Sequence, residues 1–304
     1  MKKKYLVVIA GPTAVGKTAL SILVSKRLNA EIISADSRQF FREMNLGTAK
    51  PAEEELRSIQ HHFINNLSIH DDYDAGKFEK EALDKIESLH QQSDYVVMVG
   101  GSGLYVNAVC NGFDLMPEIK EGLREQLNDQ LKEKGLASLN DTLKDLDPEY
   151  FEIVDRNNPQ RIIRALEVCL STGHPYSTYR VKRKVERPFQ TLKIGLELPR
   201  SELYTRIDDR MDDMIKNGLF EEAKLLYPHR ALNSLQTVGY TEIFDFMDGN
   251  YDRDEAVRLL KRNSRRYAKR QMTWFKKDPE MNWFNPDQYD EIVDLIKTLA
   301  GVSD

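Results

Sequence analysis

A chain of 304 residues, 40% hydrophobic and 31% charged, carries too many aromatic and branched residues for a disordered polymer and is long enough for a main domain with a smaller second one. Its longest apolar runs, YLVVIA and YVVMV, fall far short of the ~20 residues a spanning helix needs, so no membrane partner is expected. The formal charge of −5 hides an asymmetry. Residues 258–277, RLLKRNSRRYAKRQMTWFKK, hold nine Lys/Arg and no acid, and removing those nine from −5 leaves −14 on the rest, which points to a polyanionic partner.

In chain order, MKKKYLVVIA has an apolar part of only six residues, below the ~7–15 of a signal peptide. Residues 5–10 predict a buried strand, followed by a glycine-rich turn and a helix over 17–28. A second strand over 31–35 ends at Asp36. Residues 71–90 read as mainly helical and lead into DYVVMVGG, an unbroken apolar run typical of a strand covered on both faces. From about Leu115 the pattern is purely helical, clearest over 118–134, 147–154 and 159–172, with Gly173 as a stop. Strand character returns over 192–198. Ser201 then predicts the cap of a helix reaching Asn217, with Gly218 just beyond.

Between the first strand and helix stands GPTAVGKT, Gly11 to Thr18. Its glycines let backbone N–H groups face an anion, the helix N-terminus adds positive potential, Lys17 can bridge oxygens and Thr18 can ligate Mg²⁺; a structural turn of similar spacing is the alternative. Strands alternating with helices then predict an α/β fold: a P-loop parallel-sheet core with helices on both faces, residues 1–114 and 189–304, plus an all-helical insertion domain, residues 115–188. The third strand runs into GGSG rather than ending in the acidic metal ligand expected for ATP hydrolysis. The acid in the right topological place is Asp36, in SADSRQF, at the carboxyl edge where doubly wound sheets place chemistry. By position alone a turn cap explains it equally well.

GPTAVGKT (11–18), ISADSRQ (33–39), LGTAKP (46–51), VGGSGLY (99–105), NPQRIIRALEV (158–168), VGY (238–240) and AKRQMTWF (268–275) occur in this order. Together they resemble the tRNA dimethylallyltransferases, or tRNA isopentenyltransferases, of bacterial type, over nearly the whole chain. The resemblance implies transfer of a five-carbon group from dimethylallyl diphosphate to N6 of the adenosine 3′ of the anticodon. It also implies Mg²⁺ as cofactor and a tRNA anticodon stem-loop as partner, and a cytoplasmic, monomeric enzyme is expected. Carried over residue by residue, Gly11, Pro12, Thr13, Ala14, Val15, Gly16, Lys17 and Thr18 would surround the diphosphate, with Thr18 toward the metal. Asp36 would be the general base, with Lys17, Thr18 and Arg206 (in LYTRIDDR) completing the catalytic set. Asp36, Ser37, Arg38, Gln39, Ser102, Arg124, Gln160, Arg161, Ile162, Ile163 and Arg164 would meet the tRNA. Ser102 stands where the family usually has Thr, residues 64–75 are less typical of it, and no cysteines are present to build the zinc finger of eukaryotic relatives.

The residues also support blander readings. Arg161 and Arg164 lie three apart on one helix face, which from spacing alone is more often a solvated face, while Ile162 and Leu166 can pack inward. Residues 258–277 contain no acid to offer i,i+4 partners, which favours phosphate contacts; residues 179–189, YRVKRKVERPF, are equally an RNA-gripping edge or a solvated linker. His61 and His62 lack a metal-ligand spacing and are read as packing or hydrogen-bonding groups, and Trp274 and Trp283 as core. Cys110 and Cys169 suit small apolar core positions. The rival enzyme is a P-loop small-molecule or nucleotide kinase. Further alternatives are a nucleotide-switched RNA-binding module and a prenyltransferase acting on free AMP, which would have little use for the helical insertion.

Overall fold

The computed structural model describes residues 3–114, 116–181 and 185–301. Leu115, where the insertion is expected to begin, and Lys182, Arg183 and Lys184, the centre of the second basic stretch, lie outside the described residues. The chain forms two compact units, residues 1–110 with 187–304, and residues 111–186.

In the larger unit six strands, β1 Tyr5–Ala10, β2 Ile32–Ser34, β3 His61–His62, β4 Tyr95–Gly100, β5 Gln190–Leu196 and β6 Asn282–Phe284, form one parallel sheet in the order β3-β2-β4-β1-β5-β6. Every residue of β1 is buried because both faces are covered. Tyr5, Val7 and Ile9 pack with α1 Lys17–Leu28, while Leu6, Val8 and Ala10 pack on the other face. That other face is covered by α3 Ala75–His90, which follows the short α2 Glu53–Ser58, and by α4 Gly103–Asn111. Asp74 caps α3, its carboxylate accepting from the Gly76 and Lys77 amides.

The smaller unit contains α5 Leu123–Leu146, α6 Pro148–Ile153 and α7 Pro159–Thr172 around Leu139, Leu143, Ile162, Ile163 and Leu166. α5 breaks at Gly135, whose φ of 74° is left-handed, which explains why the pattern read from sequence ended near 134. Asn158 caps α7 and Gly173, at φ 75°, ends it.

The chain then returns to the larger unit. α8 Arg200–Lys216, α9 Leu219–Leu226, α10 Thr241–Met247 and α11 Arg253–Phe275 build a third apolar cluster with Phe41, Met44 and Ile69, and α12 Tyr289–Ala300 closes the α1 face. One expectation is corrected. Ser201 is not the cap of α8: the helix starts one residue earlier, behind Pro199, without a side-chain cap. Gly218 lies just beyond Asn217 as expected and, at φ 103°, precedes the first residue of α9. Among the described residues no helix is long and apolar enough to cross a membrane.

Candidate active site

The sheet brings three loops to its carboxyl edge. Ala10 of β1 is level with Gly100 of β4, and the Ala35 amide donates to the Val99 carbonyl at 2.7 Å. A side chain at Gly100 would lie 2.3 Å from the Ala35 carbonyl oxygen, so only glycine lets β2 end this close to β4. The loops after β1, β2 and β4 therefore converge, and Asp36 is delivered to the phosphate loop.

That loop ends in Gly16, at φ 104°, which starts α1 with no side-chain cap, leaving amide donors for an anion. The Lys17 ammonium donates to the Pro12 carbonyl at 2.7 Å. Val15 contributes backbone only, because its side chain is fully buried in the α1 core. Gln271 of α11 ties the loop down, its Oε1 accepting from the Thr13 amide at 2.8 Å while its Nε2 donates to the Gly101 carbonyl at 2.9 Å.

The arginine beside this loop is Arg210, not Arg206. Arg206 is 40% exposed and paired with Glu202 one turn back at 2.8 Å, whereas Arg210 donates to the Thr13 hydroxyl. The two are four residues apart on one helix, and only the later one reaches the cleft. Burial pulls the Lys17 ammonium down to about 7, helped by repulsion from Arg210 and opposed by Asp36. Burial also lowers Arg210, again with Asp36 opposing. Two desolvated cations facing one carboxylate form a site short of negative charge, which a diphosphate would supply.

Asp36 lines two adjoining recesses. One holds Lys17, Thr18, Ser34 and Gln39; the other holds Thr13, Arg210 and Tyr267, with Met211, Met214, Leu219 and Val238 as its apolar side. One oxygen of Asp36 accepts from the Arg38 amide at 3.0 Å, the turn-cap geometry. Burial first, then Asp36, raises the nearby Tyr267 hydroxyl to about 12, with a hydrogen bond to Ser102 opposing.

Several side chains expected to meet RNA are engaged within the protein. Arg38 donates to the Asn233 and Gln236 carbonyls at 3.1 and 3.4 Å, and Gln39 to those of Thr48 and Ala49 at 3.2 Å. The Ser102 hydroxyl accepts from the Ser37 amide at 3.0 Å, which makes it a buried brace for the Asp36 loop. In the smaller unit Gln160 and Arg161 are exposed, but Ile162 and Ile163 are fully buried in its core, so these two can only support the helix that displays their neighbours. Arg124 and Arg164 both pair with the buried Glu167, at 2.9 and 3.4 Å, while remaining 55% and 39% exposed.

The basic helix is partly neutralised. Arg258 pairs with Glu255 one turn earlier, Lys261 with Asp212, Arg265 with Asp208, and Lys276 with Glu197. The missing acids thus come mainly from α8 and the residue after β5, which spacing within the stretch did not reveal. Arg266, Lys269, Arg270 and Lys277 are exposed with no acid within ion-pair distance among the described residues. In the other basic stretch Arg180 lies over Tyr150, and Arg187 is paired with Glu79 at 2.5 Å. His61 bonds the Ile59 carbonyl and His62 the Glu31 carboxylate. Trp274, expected in the core, is 43% exposed against Gly103. Among the described residues no group of three His, Cys, Asp or Glu could hold a metal.

A family model described as IPP transferase matches residues 39–278. The chain belongs to the IPP transferase family. Members similar to it include the tRNA dimethylallyltransferase of Cytophaga hutchinsonii, 49% identical over 294 residues and 97% of each chain. Another is tRNA dimethylallyltransferase 1 of Bacteroides fragilis, 47% identical over 297 residues, 98% of this chain and 99% of that one. Among solved structures the full-length tRNA isopentenylpyrophosphate transferase of Bacillus halodurans superimposes with a TM-score of 0.72 at 40% identity, over 99% of this chain and 96% of that one. A eukaryotic dimethylallyltransferase acting on tRNA gives 0.82 at 25% identity, over 99% of this chain and 80% of that one. The segment matched to the IPP transferase family contains Ser102, Arg210 and Gln271, while the phosphate loop and Asp36 lie before it.

Proposed function

We propose that this transferase moves the dimethylallyl group of dimethylallyl diphosphate onto N6 of the adenosine 3′ of the anticodon in tRNA, forming i6A, and that it does so in the cytoplasm as a monomer. The observation that carries the reading is one carboxylate, Asp36, shared by a phosphate loop with two half-buried cations and by a recess with an apolar side. The diphosphate sits on the loop amides with Lys17 and Arg210 around it. The five carbons lie toward Met211, Met214 and Leu219, and the adenine enters beside Asp36.

In the reaction the bond between the allylic carbon and the diphosphate oxygen breaks as N6 bonds that carbon. The N6 proton passes to the Asp36 carboxylate, a general-base role worth roughly 10²–10⁴-fold. Lys17, Arg210 and the loop amides stabilise the charge that grows on the departing diphosphate. Thr18 faces a recess lined by oxygen donors, Ser34, Asp36 and Gln39 among them, which suits a hard cation sharing ligands with water and phosphate. Bound there, Mg²⁺ would neutralise part of the diphosphate charge. The target base is stacked in its loop and has to be extruded at a cost of a few kcal/mol. The exposed cations of α11 and of the smaller unit supply phosphate contacts to offset it.

The test is to incubate the protein with an unmodified anticodon stem-loop, dimethylallyl diphosphate and Mg²⁺, and to analyse nucleosides by mass spectrometry. The expected result is a gain of one C5H8 unit on a single adenosine. Phosphoryl transfer from labelled ATP with no isoprenoid product would overturn the reading in favour of a kinase.

A further inference from the structure

The Glu222 carboxylate of α9 touches none of the reacting groups, yet four donors converge on it. Its Oε2 accepts from the Asn45 and Leu46 amides at 3.1 and 2.9 Å, and its Oε1 accepts from the Gly47 amide at 3.1 Å and the Tyr240 hydroxyl at 2.7 Å. Three consecutive backbone N–H groups aimed at one point form the kind of concavity that binds free anions. Here the chain fills it with its own side chain. Tyr240 is fully buried, and its ring occupies the space a side chain on Gly47 would need, 2.5 Å from two ring carbons. Burial and the Glu222 charge both push the Tyr240 hydroxyl well above its ordinary value, so it stays a donor.

The three segments joined in this way are the ones that close the apolar recess. Gly47 carries the last of the bound amides and Thr48 and Ala49 follow it, Val238 and Gly239 precede Tyr240, and Leu219 lies one turn before Glu222 on α9. A side chain at Gly239 would lie 3.3 Å from the Gly47 carbonyl, so the two glycine segments already touch. The width of the recess is therefore set by hydrogen bonds behind its wall.

We propose that Glu222 and Tyr240 are positioning residues that fix the width of the recess and thereby restrict the enzyme to a five-carbon donor. This rests on the proposal that the recess receives the prenyl group. When one bond to Glu222 is lost, the Gly47–Ala49 wall can retreat from Val238 and Gly239. The loop that holds the diphosphate is left alone.

The experiment compares the parent with Glu222→Gln and Tyr240→Phe, using an unmodified anticodon stem-loop and either dimethylallyl or geranyl diphosphate. Inorganic pyrophosphate binding by calorimetry and the far-UV spectrum serve as controls. In both variants the KM for dimethylallyl diphosphate should rise about tenfold with kcat within about threefold, and the ratio of geranyl to dimethylallyl transfer should rise about tenfold. Pyrophosphate affinity should stay within about twofold. If Glu222→Gln does not fold, Tyr240→Phe, which keeps the ring, decides alone. Unchanged chain-length preference in a folded variant would overturn the proposal. A parent that binds pyrophosphate yet transfers neither prenyl group would instead overturn the functional reading on which it rests.

Discussion

The side-chain amide of Gln271 and the backbone of Thr13 are joined by a 2.8 Å hydrogen bond, and the same amide group reaches the Gly101 carbonyl at 2.9 Å. One residue of α11 thus holds the loops after β1 and β4 in register. Replacing it by alanine leaves the part-buried Thr13 donor and the buried Gly101 acceptor unpaired, at about 1–3 kcal/mol for the buried one. Gln271→Ala should therefore lower the denaturant midpoint measurably and weaken inorganic pyrophosphate binding about tenfold, read by calorimetry.

Arg210 and Arg206 give a sharper contrast. Arg210→Ala removes a half-buried cation from the proposed diphosphate site and should reduce transfer about 10²–10³-fold, the range for a lost transition-state donor. Arg206→Ala breaks only an exposed pair, worth at most about 1 kcal/mol, and should leave turnover within about threefold. Steady-state kinetics on both variants reads the difference directly.

The lowered Lys17 ammonium makes a pH prediction whose sign is fixed. Unfolded it titrates near 10.5 and folded near 7, so between these values the unfolded chain holds the extra proton. Stability of the ligand-free protein should rise with pH through that window by way of this group, and Lys17→Met should remove the rise. A bound diphosphate restores the ammonium. Pyrophosphate binding near pH ~8 should then take up a proton, seen as a binding heat that depends on the buffer's ionisation enthalpy, and less so in Lys17→Met.

The ion pairs on α11 separate cations that are available to RNA from those that are not. Arg266→Ala and Arg270→Ala should weaken stem-loop binding, each lowering the slope of log affinity against log salt by about 0.7–0.9 for every phosphate left unneutralised. Arg265→Ala, whose guanidinium is held by Asp208 at 2.5 Å, should change the slope little. Filter-binding titrations at several salt concentrations distinguish the two classes.

What the sequence disclosed and what it withheld follow from the range of the interactions concerned. β1, α1 and α7 were legible to the residue because their signals are local: apolar runs, a glycine loop and a terminal glycine. Asp36 was legible because it closely follows the end of a strand. Arg210 was not, since two arginines one turn apart look alike until α8 is packed and one of them meets Glu202. The acids that quench Lys261 and Arg265 come from residues 49 and 57 positions away, beyond any i,i+4 pattern. β3 and β6, two and three residues long, owe their existence to edge pairing rather than to propensity.

The central claim is that Asp36 takes the proton from N6 while the cationic loop receives the diphosphate. Single-turnover transfer by Asp36→Asn, with saturating stem-loop and dimethylallyl diphosphate, tests it most directly. The account predicts a rate about 10²–10⁴-fold below the parent, with pyrophosphate and RNA affinities little changed. A parent-like rate in that variant would contradict it.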